Sequence, residues 1–264
     1  MTLRRLADAG ARVVLVMATG GELGESRVPL RLGETVPQRR LTELERAAEL
    51  LGVARLALLG HRDSGLPGWA SARHQRALAV ADPLRLARRV AAIALAEGAT
   101  TLIHDDEQGI YGHPDHCAAH RIGAAAAKLV GADAYRLTIA RAHLHIAARD
   151  GHLVHGAARA AAVEFGRPSV EISLAITGTP AHLAIKRAAM TAHASQIAEA
   201  ELPEVGFGAA YGIEWFRRTA HRRIGTPGLL DALGNAHLFG TERSVGGASI
   251  GTERSVSGAD IDAA

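Results

Sequence analysis

The chain has 264 residues, 48% of them hydrophobic and 22% charged, with a formal net charge of +3. This composition suits one globular domain, or one domain with a tail. The single cysteine, Cys117, excludes an internal disulfide and suggests a reducing cytoplasm. Arginine is spread along the chain and not collected in blocks, so we expect no nucleic-acid partner. No run of 18 apolar residues is present, so we expect no membrane span.

Helix-like and strand-like patterns alternate along the first half of the chain. A short helical opening stops at Gly10, and the apolar run Val13–Met17 is typical of a strand buried on both faces of a parallel sheet. The alternation predicts an α/β domain with a parallel sheet and flanking helices. The further predicted strands are Leu56–Leu59 and Thr101–Ile103, and the further predicted helices span about 38–51, 84–97 and 114–130.

Polar loops follow the first three predicted strands, after Met17, Leu59 and Ile103. In parallel sheets, functional loops gather at the carboxyl ends of the strands. We therefore expect these three loops to meet at one edge of the sheet and to carry the functional site.

The second half of the chain has a weaker pattern. Leu137–Ile146 and Val170–Ile176 are strand-like, and residues 182–200 predict a helix. The last segment, 240–264, contains Thr-Glu-Arg-Ser-Val twice and is rich in Gly and Ser. Because it offers few bulky apolar residues to bury, it predicts a disordered tail. The domain is therefore expected to span 1–239, with a tail at 240–264.

The most informative stretch is Asp105–His116, between a predicted strand and a predicted helix. Pro114 suits the first helical turn, where its missing N–H costs nothing, so His113, Asp115 and His116 are placed at a helix N-terminus. A neutral imidazole is a good zinc ligand, and a neighbouring carboxylate can fix its tautomer. The pattern alone is also compatible with a solvated loop whose histidines cap a helix.

The Gly-His-Pro-Asp-His run at 112–116 resembles the second signature of the PIG-L/LmbE-like de-N-acetylases. Five further segments resemble this family in the right order, and the resemblance covers about residues 2–220. It implies a Rossmann-like parallel sheet with flanking helices. Among these segments, Leu59–Gly65 resembles the branch of the family that deacetylates mycothiol precursors and conjugates. The five segments are Thr19–Glu25, Arg39–Leu44 with Leu51–Val53, Leu59–Gly65, Lys186–Gln196 and Glu214–Phe216.

The sequence departs from this family at its start. The family begins with a strand followed by His-Pro-Asp-Asp, which supplies two metal ligands and the general base, whereas the only His-Pro pair here is His113-Pro114. We therefore expect the chain to lack the family's first strand and to hold an incomplete Zn²⁺ site. We also expect little deacetylase activity from the chain as given, because a catalytic zinc needs three protein ligands.

The resemblance assigns roles to the side chains around the motif. It makes His116 the third zinc ligand and His113 the group that stabilises the tetrahedral oxyanion. It has Asp115 orient the cluster, and Tyr111 help to polarise the amide carbonyl.

The resemblance also places three side chains against sugar hydroxyls, namely Glu25, Arg40 and Asp63. Each has a simpler interpretation as well. Glu25 can be a solvated loop carboxylate, Arg40 an exposed helix arginine, and Asp63 the residue that forms a turn before Ser64-Gly65.

These assignments predict a zinc-dependent hydrolase that removes the N-acetyl group from an N-acetylglucosamine-type sugar conjugate, such as a mycothiol precursor or conjugate. Its partner is then a small-molecule substrate. The alternative is a catalytically inactive member of the same fold with a binding-only role. A nucleotide-binding Rossmann domain is disfavoured, because Gly20, Gly21 and Gly24 lack the Gly-x-Gly-x-x-Gly spacing.

Overall fold

The computed structural model describes residues 1–143, 163–220, 228–231 and 233. The predicted tail at 240–264 lies outside the described residues, and so do the last three residues of the predicted strand Leu137–Ile146. Of the helices in the described ranges, none combines the length and the apolar character that a bilayer crossing needs.

Six strands form two sheets in the described part of the chain. They are β1 (Val14–Thr19), β2 (Arg55–His61), β3 (Thr101–Asp105), β4 (Asp133–Thr138), β5 (Leu174–Thr177) and β6 (Ile213–Ala220). In the first sheet β1 and β2 run parallel. In the second, of order β3-β4-β6-β5, β3 and β4 run parallel, while β6 is antiparallel to both of its neighbours. The predicted α/β class with parallel strands is confirmed, and antiparallel pairing is confined to contacts of β6.

Helices accompany the strands and begin at residues suited to capping. The main helices are α1 (Thr2–Asp8), α2 (Val36–Leu50), α3 (Pro83–Ala96), α4 (Pro114–Val130), α5 (Pro180–Thr191) and α6 (Phe207–Tyr211). Thr35 and Gln38 form a capping box at the start of α2, which satisfies N–H groups that have no partner within the helix. Helix α4 ends at Val130 and is capped by Gly131, whose φ of 64° is a conformation that glycine adopts without steric cost. The helices predicted at 38–51, 84–97 and 114–130 are confirmed.

Five apolar clusters form among the described residues, and two of them bear on the position of the site. The smaller one includes Leu86 of α3 and Ile122 of α4, and burying each such side chain contributes roughly 1.5–3 kcal/mol. This packing fixes α4, whose first turn carries the histidines predicted to be functional. The larger cluster joins α1 to β4, β5, β6 and the residue before β1, and its buried members are Met1, Leu6, Val13, Tyr135, Leu174, Ile176, Phe216 and Leu230.

The predicted strand Leu137–Ile146 is placed too late in the chain. Strand β4 ends at Thr138 and begins at Asp133, where it pairs with the first residue of β3. Two polar residues, Asp133 and Arg136, interrupt the apolar pattern that strand prediction relies on. Arg136 is accommodated because it donates a hydrogen bond to Glu107 at 3.1 Å, a contact that local sequence does not reveal.

The predicted helix over 182–200 is too long, because α5 ends at Thr191. The backbone N–H of Ser195 donates to Oε1 of Glu43 at 2.9 Å, and the Ser195 hydroxyl donates to Oε2 at 2.6 Å. Both side chains are buried, at 0% and 7% exposure. A carboxylate 152 residues away therefore takes the N–H that a continuing helix would need, and it binds α2 to the loop after α5.

Replacing Glu43 with alanine should destabilise the fold. The substitution leaves two buried donors of Ser195 without an acceptor, so we expect the free energy of unfolding to fall by about 3 kcal/mol. Glu45, which is exposed on the same helix, is the matched control, and Glu45→Ala should change stability by less than about 0.5 kcal/mol. Urea unfolding of both variants measures the difference, and equal losses would contradict the role given to Glu43.

Candidate active site

The three polar loops at the ends of β1, β2 and β3 meet, as predicted. Glu22, in the loop after β1, accepts a hydrogen bond from the Asp63 N–H in the loop after β2, at 2.9 Å. Asp115, in the first turn of α4, accepts one from the Ser64 N–H at 3.1 Å. The loop after β2 is thus bound on one side to the β1 loop and on the other to the helix that follows β3.

The loop after β3 is shaped by Asp106, a side chain with 1% exposure. Its Oδ1 accepts from the N–H groups of Gln108 (3.1 Å) and Ile110 (2.9 Å), and its Oδ2 accepts from the Thr138 hydroxyl (2.8 Å). Ile110 has φ 64° and ψ −57°, and no other non-glycine residue in the described ranges has a positive φ. Such strain costs about 1–3 kcal/mol and needs support from its surroundings. Asp106 supplies this support, and so fixes the position of Tyr111.

Tyr111, His113 and His116 form a triangle of rings where this loop enters α4. Their ring centroids lie 5.7 Å (Tyr111–His113), 5.6 Å (Tyr111–His116) and 5.4 Å (His113–His116) apart. Three of the residues predicted from the sequence are therefore brought together. Edge-on ring contacts of this kind orient the rings relative to one another.

The hydrogen bond that His113 accepts determines the tautomer of its ring. Nδ1 accepts a hydrogen bond from the Asp115 N–H at 3.1 Å, so it carries no proton. Burial lowers the pKa of His113, as does the charge of His116, although nearby aspartates oppose them. A neutral ring whose Nδ1 is an acceptor must hold its proton on Nε2. His113 therefore presents a neutral N–H donor.

The hydrogen bond between His116 and Asp105 favours the opposite tautomer. Its Nδ1 lies 3.1 Å from Oδ2 of Asp105, and because a carboxylate can only accept, Nδ1 holds the proton. Burial alone would lower the pKa of His116, but the hydrogen bond and charge of Asp105, with the charge of Asp115, raise it above its usual 6.5. In the neutral ring Nε2 carries the lone pair, which is the form that binds a metal.

Burial favours the neutral forms of two further groups, Asp115 beside the triangle and Tyr111 within it. Burial raises the pKa of Asp115, and the charge of Asp63 raises it further, although hydrogen bonds from Ser64 oppose the change. Burial also raises the pKa of Tyr111, and the charges of Asp63, Asp105 and Asp115 act in the same direction. The Tyr111 hydroxyl therefore keeps its proton at neutral pH and can act as a hydrogen-bond donor.

The predicted sugar-binding residues lie around these loops with different contacts. Arg40 donates from Nη1 to the Gly21 carbonyl at 2.6 Å, so it binds the backbone of the loop after β1. Asp63 forms the turn that the simpler interpretation predicts, with its Oδ1 accepting from the Gly65 N–H at 2.8 Å. The side chain of Glu25 is exposed. Contact of these three with a sugar stays a prediction.

Four residues that organise the site had no assigned role at the sequence level. Asp105 is the last residue of β3 and Asp106 follows it, and a polar pair at the carboxyl end of a parallel strand was a usable signal. Ser64 and Glu22 gave no comparable signal, because their roles depend on which loops meet. The two neighbouring aspartates have different roles. Asp105 determines which ring nitrogen of His116 carries the proton, and Asp106 holds the backbone of the loop after β3.

The described residues do not form a complete zinc site. Within the described ranges, no three His, Cys, Asp or Glu side chains are grouped so that they could hold a metal ion. His116 offers Nε2, but its other ring nitrogen is bound to Asp105. A catalytic zinc takes three protein ligands, so His116 is one donor of a set that the described side chains do not complete.

Removing the Asp106 carboxylate should release the strained loop. Asp106→Ala leaves three donors without their acceptor, and we expect a loss of about 2–4 kcal/mol in the free energy of unfolding. Amide exchange at Gln108 and Ile110 should become faster in the folded protein. Asp106→Asn is the control, because its carbonyl can still accept both N–H groups, and its stability should lie nearer to the wild type. Unchanged exchange in Asp106→Ala would contradict this role.

The raised pKa of His116 predicts a pH-dependent effect of Asp105→Asn. A group whose pKa is higher in the folded state adds stability below its unfolded value, here about 6.5, and this is lost as the pH rises through the folded value. The variant should therefore lower the pKa of His116, and it should destabilise the protein more at pH 5.5 than at pH 8.5. An NMR titration of the ring and urea unfolding at both pH values test this. A His116 pKa that the variant leaves unchanged would refute it.

Comparisons with known proteins show which proteins this chain is similar to. Residues 1–127 match the family model described as PIG-L, GlcNAc-PI de-N-acetylase. A 1D-myo-inositol 2-acetamido-2-deoxy-alpha-D-glucopyranoside deacetylase from Salinispora arenicola is 31% identical over 217 residues, which is 74% of this chain and 70% of that protein. The protein of the same name from Acidothermus cellulolyticus is 37% identical over 216 residues, which is 75% of this chain and 74% of that protein.

A solved structure shows the same fold. A deacetylase crystallised in complex with teicoplanin, from the teicoplanin biosynthesis pathway, aligns with a TM-score of 0.52 at 18% identity, covering 83% of this chain and 93% of the other. At this identity the likeness concerns the fold alone. The two relatives, by contrast, are similar in sequence across most of their length and of this chain. The chain therefore belongs to the PIG-L family of GlcNAc-PI de-N-acetylases.

Proposed function

We propose that this protein hydrolyses the N-acetyl group of an N-acetylglucosamine-type sugar conjugate, with N-acetylglucosaminyl-inositol as the substrate type. The observation that carries the proposal is the triangle of Tyr111, His113 and His116 at the end of β3. The sequence similarity supports it, because the two relatives are named as deacetylases of such a conjugate. The likeness to mycothiol-pathway enzymes at Leu59–Gly65 points the same way.

Amide hydrolysis places negative charge on the acetyl oxygen when water adds to the carbonyl carbon. Preorganised donors aimed at this oxygen are worth about 2.7–4 kcal/mol each in the transition state. His113 presents a neutral Nε2–H, and Tyr111 keeps its hydroxyl proton, so both can donate to the oxyanion. Collapse of the tetrahedral species then breaks the C–N bond, the amine takes up the proton that the attacking water has lost, and acetate leaves.

His116 is proposed to serve the metal and not the oxyanion. Its proton is held on Nδ1 by Asp105, which leaves Nε2 as a lone-pair donor suited to zinc. The described residues offer no group of three ligands around it. Zinc binding at His116 is therefore proposed from the resemblance and from the form of the ring.

The sugar is proposed to lie against the loops that follow β1 and β2. Asp63 uses Oδ1 for its own turn, which leaves Oδ2 for a sugar hydroxyl. Arg40 binds Gly21 through Nη1 and retains its other N–H donors. Glu25 is exposed on the same loop as Gly21 and can reach a ligand only from the solvent side.

The enzyme and the binding-only alternative differ in one measurement. Purified protein is incubated with N-acetylglucosaminyl-inositol, with and without added Zn²⁺, and free acetate and primary amine are both measured. From the chain as given, whose described residues supply one zinc donor, we expect little acetate. From a chain extended upstream by the family's His-Pro-Asp-Asp segment, the proposal expects equal amounts of acetate and amine, with more of both when zinc is added. Saturable substrate binding without acetate release by the extended chain, over a range of zinc concentrations, would support a binding-only role.

Alanine variants of the two histidines, made in the chain extended upstream by the His-Pro-Asp-Asp segment, should separate their roles. His113→Ala removes one oxyanion donor, so it should keep its zinc content but release acetate about 10²–10³-fold more slowly. His116→Ala removes a metal ligand, so its zinc content per mole of protein should fall. His182→Ala, which lies at the start of α5, serves as the control and should retain both properties.

Zinc content is measured separately from the rate, which is taken at saturating zinc. If His116→Ala keeps its zinc, or if His113→Ala loses it, the two assignments are wrong. Either result would leave the family membership unchanged.

A further inference from the structure

The loop after β2 carries an exposed tryptophan a few residues beyond the turn at Asp63. Trp69 is 47% exposed, and no other Phe, Tyr or Trp side chain in the described ranges is exposed to a comparable degree. Trp215, the second tryptophan of the chain, is buried. Aromatic side chains dominate the energetics of cores and interfaces, so an exposed one beside the proposed site is a candidate contact for a ligand.

A tight turn fixes the backbone that carries Trp69. The Trp69 N–H donates to the Leu66 carbonyl at 3.1 Å, and Pro67 and Gly68 lie between these two residues. Gly68 has φ 87°. Proline at the second position and a positive φ at the third are the features of a type II turn. The backbone beneath the indole is therefore ordered before a ligand arrives, which lowers the entropy lost on binding.

The indole ring lies against the backbone of Gly65. A Cβ atom placed on Gly65 would come within 2.6 Å of Cε3 of Trp69, so glycine leaves the room that the ring needs. Gly65 also donates its N–H to Oδ1 of Asp63 at 2.8 Å. The segment is held again two residues after the tryptophan, where the Ser71 hydroxyl donates to the Ser64 carbonyl at 2.7 Å. The Asp63 carboxylate and the Trp69 ring therefore flank the same glycine.

Asp63 connects this tryptophan to the triangle of rings. Burial raises the pKa of Tyr111, and the charge of Asp63 raises it further. Burial lowers the pKa of His113, and the charge of Asp63 acts against that change. The Asp63 carboxylate thus lies within electrostatic range of both rings, and Trp69 lies beyond it toward the solvent. With the acetyl group at the triangle and the amino sugar at Asp63, the next ring of a conjugate reaches Trp69.

We propose that Trp69 stacks on the ring attached to the acetylated amino sugar, a cyclitol or second sugar ring that presents an apolar C–H face. The hydroxyl groups of such a ring lie mainly at its rim, so C–H groups with partial positive charge can face the negative face of the indole. This inference rests on the proposed function and deepens it, because it makes the attached ring a determinant of affinity.

Tryptophan fluorescence tests the contact in the chain as given. Trp69 supplies the solvent-accessible emission, because Trp215 is buried. N-acetylglucosaminyl-inositol, at a concentration that calorimetry shows to be saturating, should protect this emission from quenching by acrylamide. N-acetylglucosamine alone should give no protection, and neither compound should protect the Trp215 emission that remains in Trp69→Phe. Equal quenching of the wild type with and without bound conjugate would overturn the proposal.

The affinities of variants distinguish stacking from a structural role of the indole. Trp69→Ala should weaken binding of N-acetylglucosaminyl-inositol about tenfold and leave binding of N-acetylglucosamine unchanged. Trp69→Phe keeps an aromatic face, so it should lose no more than about threefold. Leu95→Ala is the matched control, because Leu95 is 68% exposed near the end of α3 that leads to the start of β3, whereas the site follows the end of β3.

Two results of this comparison would contradict stacking. Weaker binding of both compounds by Trp69→Ala would show that the loop has lost its shape, and a Trp69→Phe variant as weak as Trp69→Ala would show that the aromatic face does not matter. The Leu95→Ala control should bind both compounds as the wild type does.

Acetate release separates this inference from the proposed function. If Trp69→Ala binds both compounds as the wild type does while the extended chain releases acetate, the stacking assignment fails and the deacetylase function stands. If Trp69→Ala weakens binding of the conjugate alone and the extended chain releases no acetate, the stacking assignment stands and the deacetylase function fails. Absence of calorimetric binding of either compound would contradict both.

Discussion

The buried carboxylate of Asp115 is the contact on which the arrangement of the site depends. Its Oδ2 binds the N–H of Ser64, itself completely buried, and so joins the loop after β2 to the first turn of α4. Ser64 extends this support, because its hydroxyl accepts from the Ala79 N–H and its carbonyl accepts from the Ser71 hydroxyl. A buried polar group is costly unless it forms a hydrogen bond. Moving the loop away would leave the Ser64 N–H and the Asp115 Oδ2 without this bond. The histidine helix, the Asp63 turn and the segment from Ser71 to Ala79 are therefore one connected unit.

Within this unit, two histidines three residues apart have opposite properties. The Asp115 N–H makes Nδ1 of His113 an acceptor, and the Asp105 carboxylate makes Nδ1 of His116 a donor. One ring consequently offers an N–H outward and the other offers a lone pair. Amide hydrolysis needs both kinds of group close together, a donor for the developing oxyanion and a base or metal ligand beside it. The chain obtains them from one residue type by giving each ring a different neighbour.

The parts of the fold that the sequence could predict are those set by local pattern. The apolar run at Val13–Met17 and the Pro114 start of α4 each depend on residues within a few positions, and both are found in the structure. The misplaced elements depend on distant partners. Helix α5 stops early because of Glu43, and β4 was obscured because Arg136 reaches Glu107. The tautomers of His113 and His116 could not be predicted for the same reason, because the Asp105 contact of His116 spans 11 residues.

Electrostatic support for the loop after β3 has a definite pH range. For Glu107, burial would raise the pKa, but the hydrogen bond from Arg217 and the charges of Arg167 and Arg136 lower it to about 2. A lowered pKa adds stability above the usual value of 4.5, and this is lost as the pH falls toward 2. The raised pKa of His116 acts in the other direction, with stability present below 6.5 and lost at higher pH. Both contributions to stability are fully present only between pH 4.5 and pH 6.5, the usual pKa values of the two groups. At neutral pH and above the loop therefore depends more on contacts that do not titrate there, above all the three hydrogen bonds to Asp106 that hold Ile110 in its strained turn.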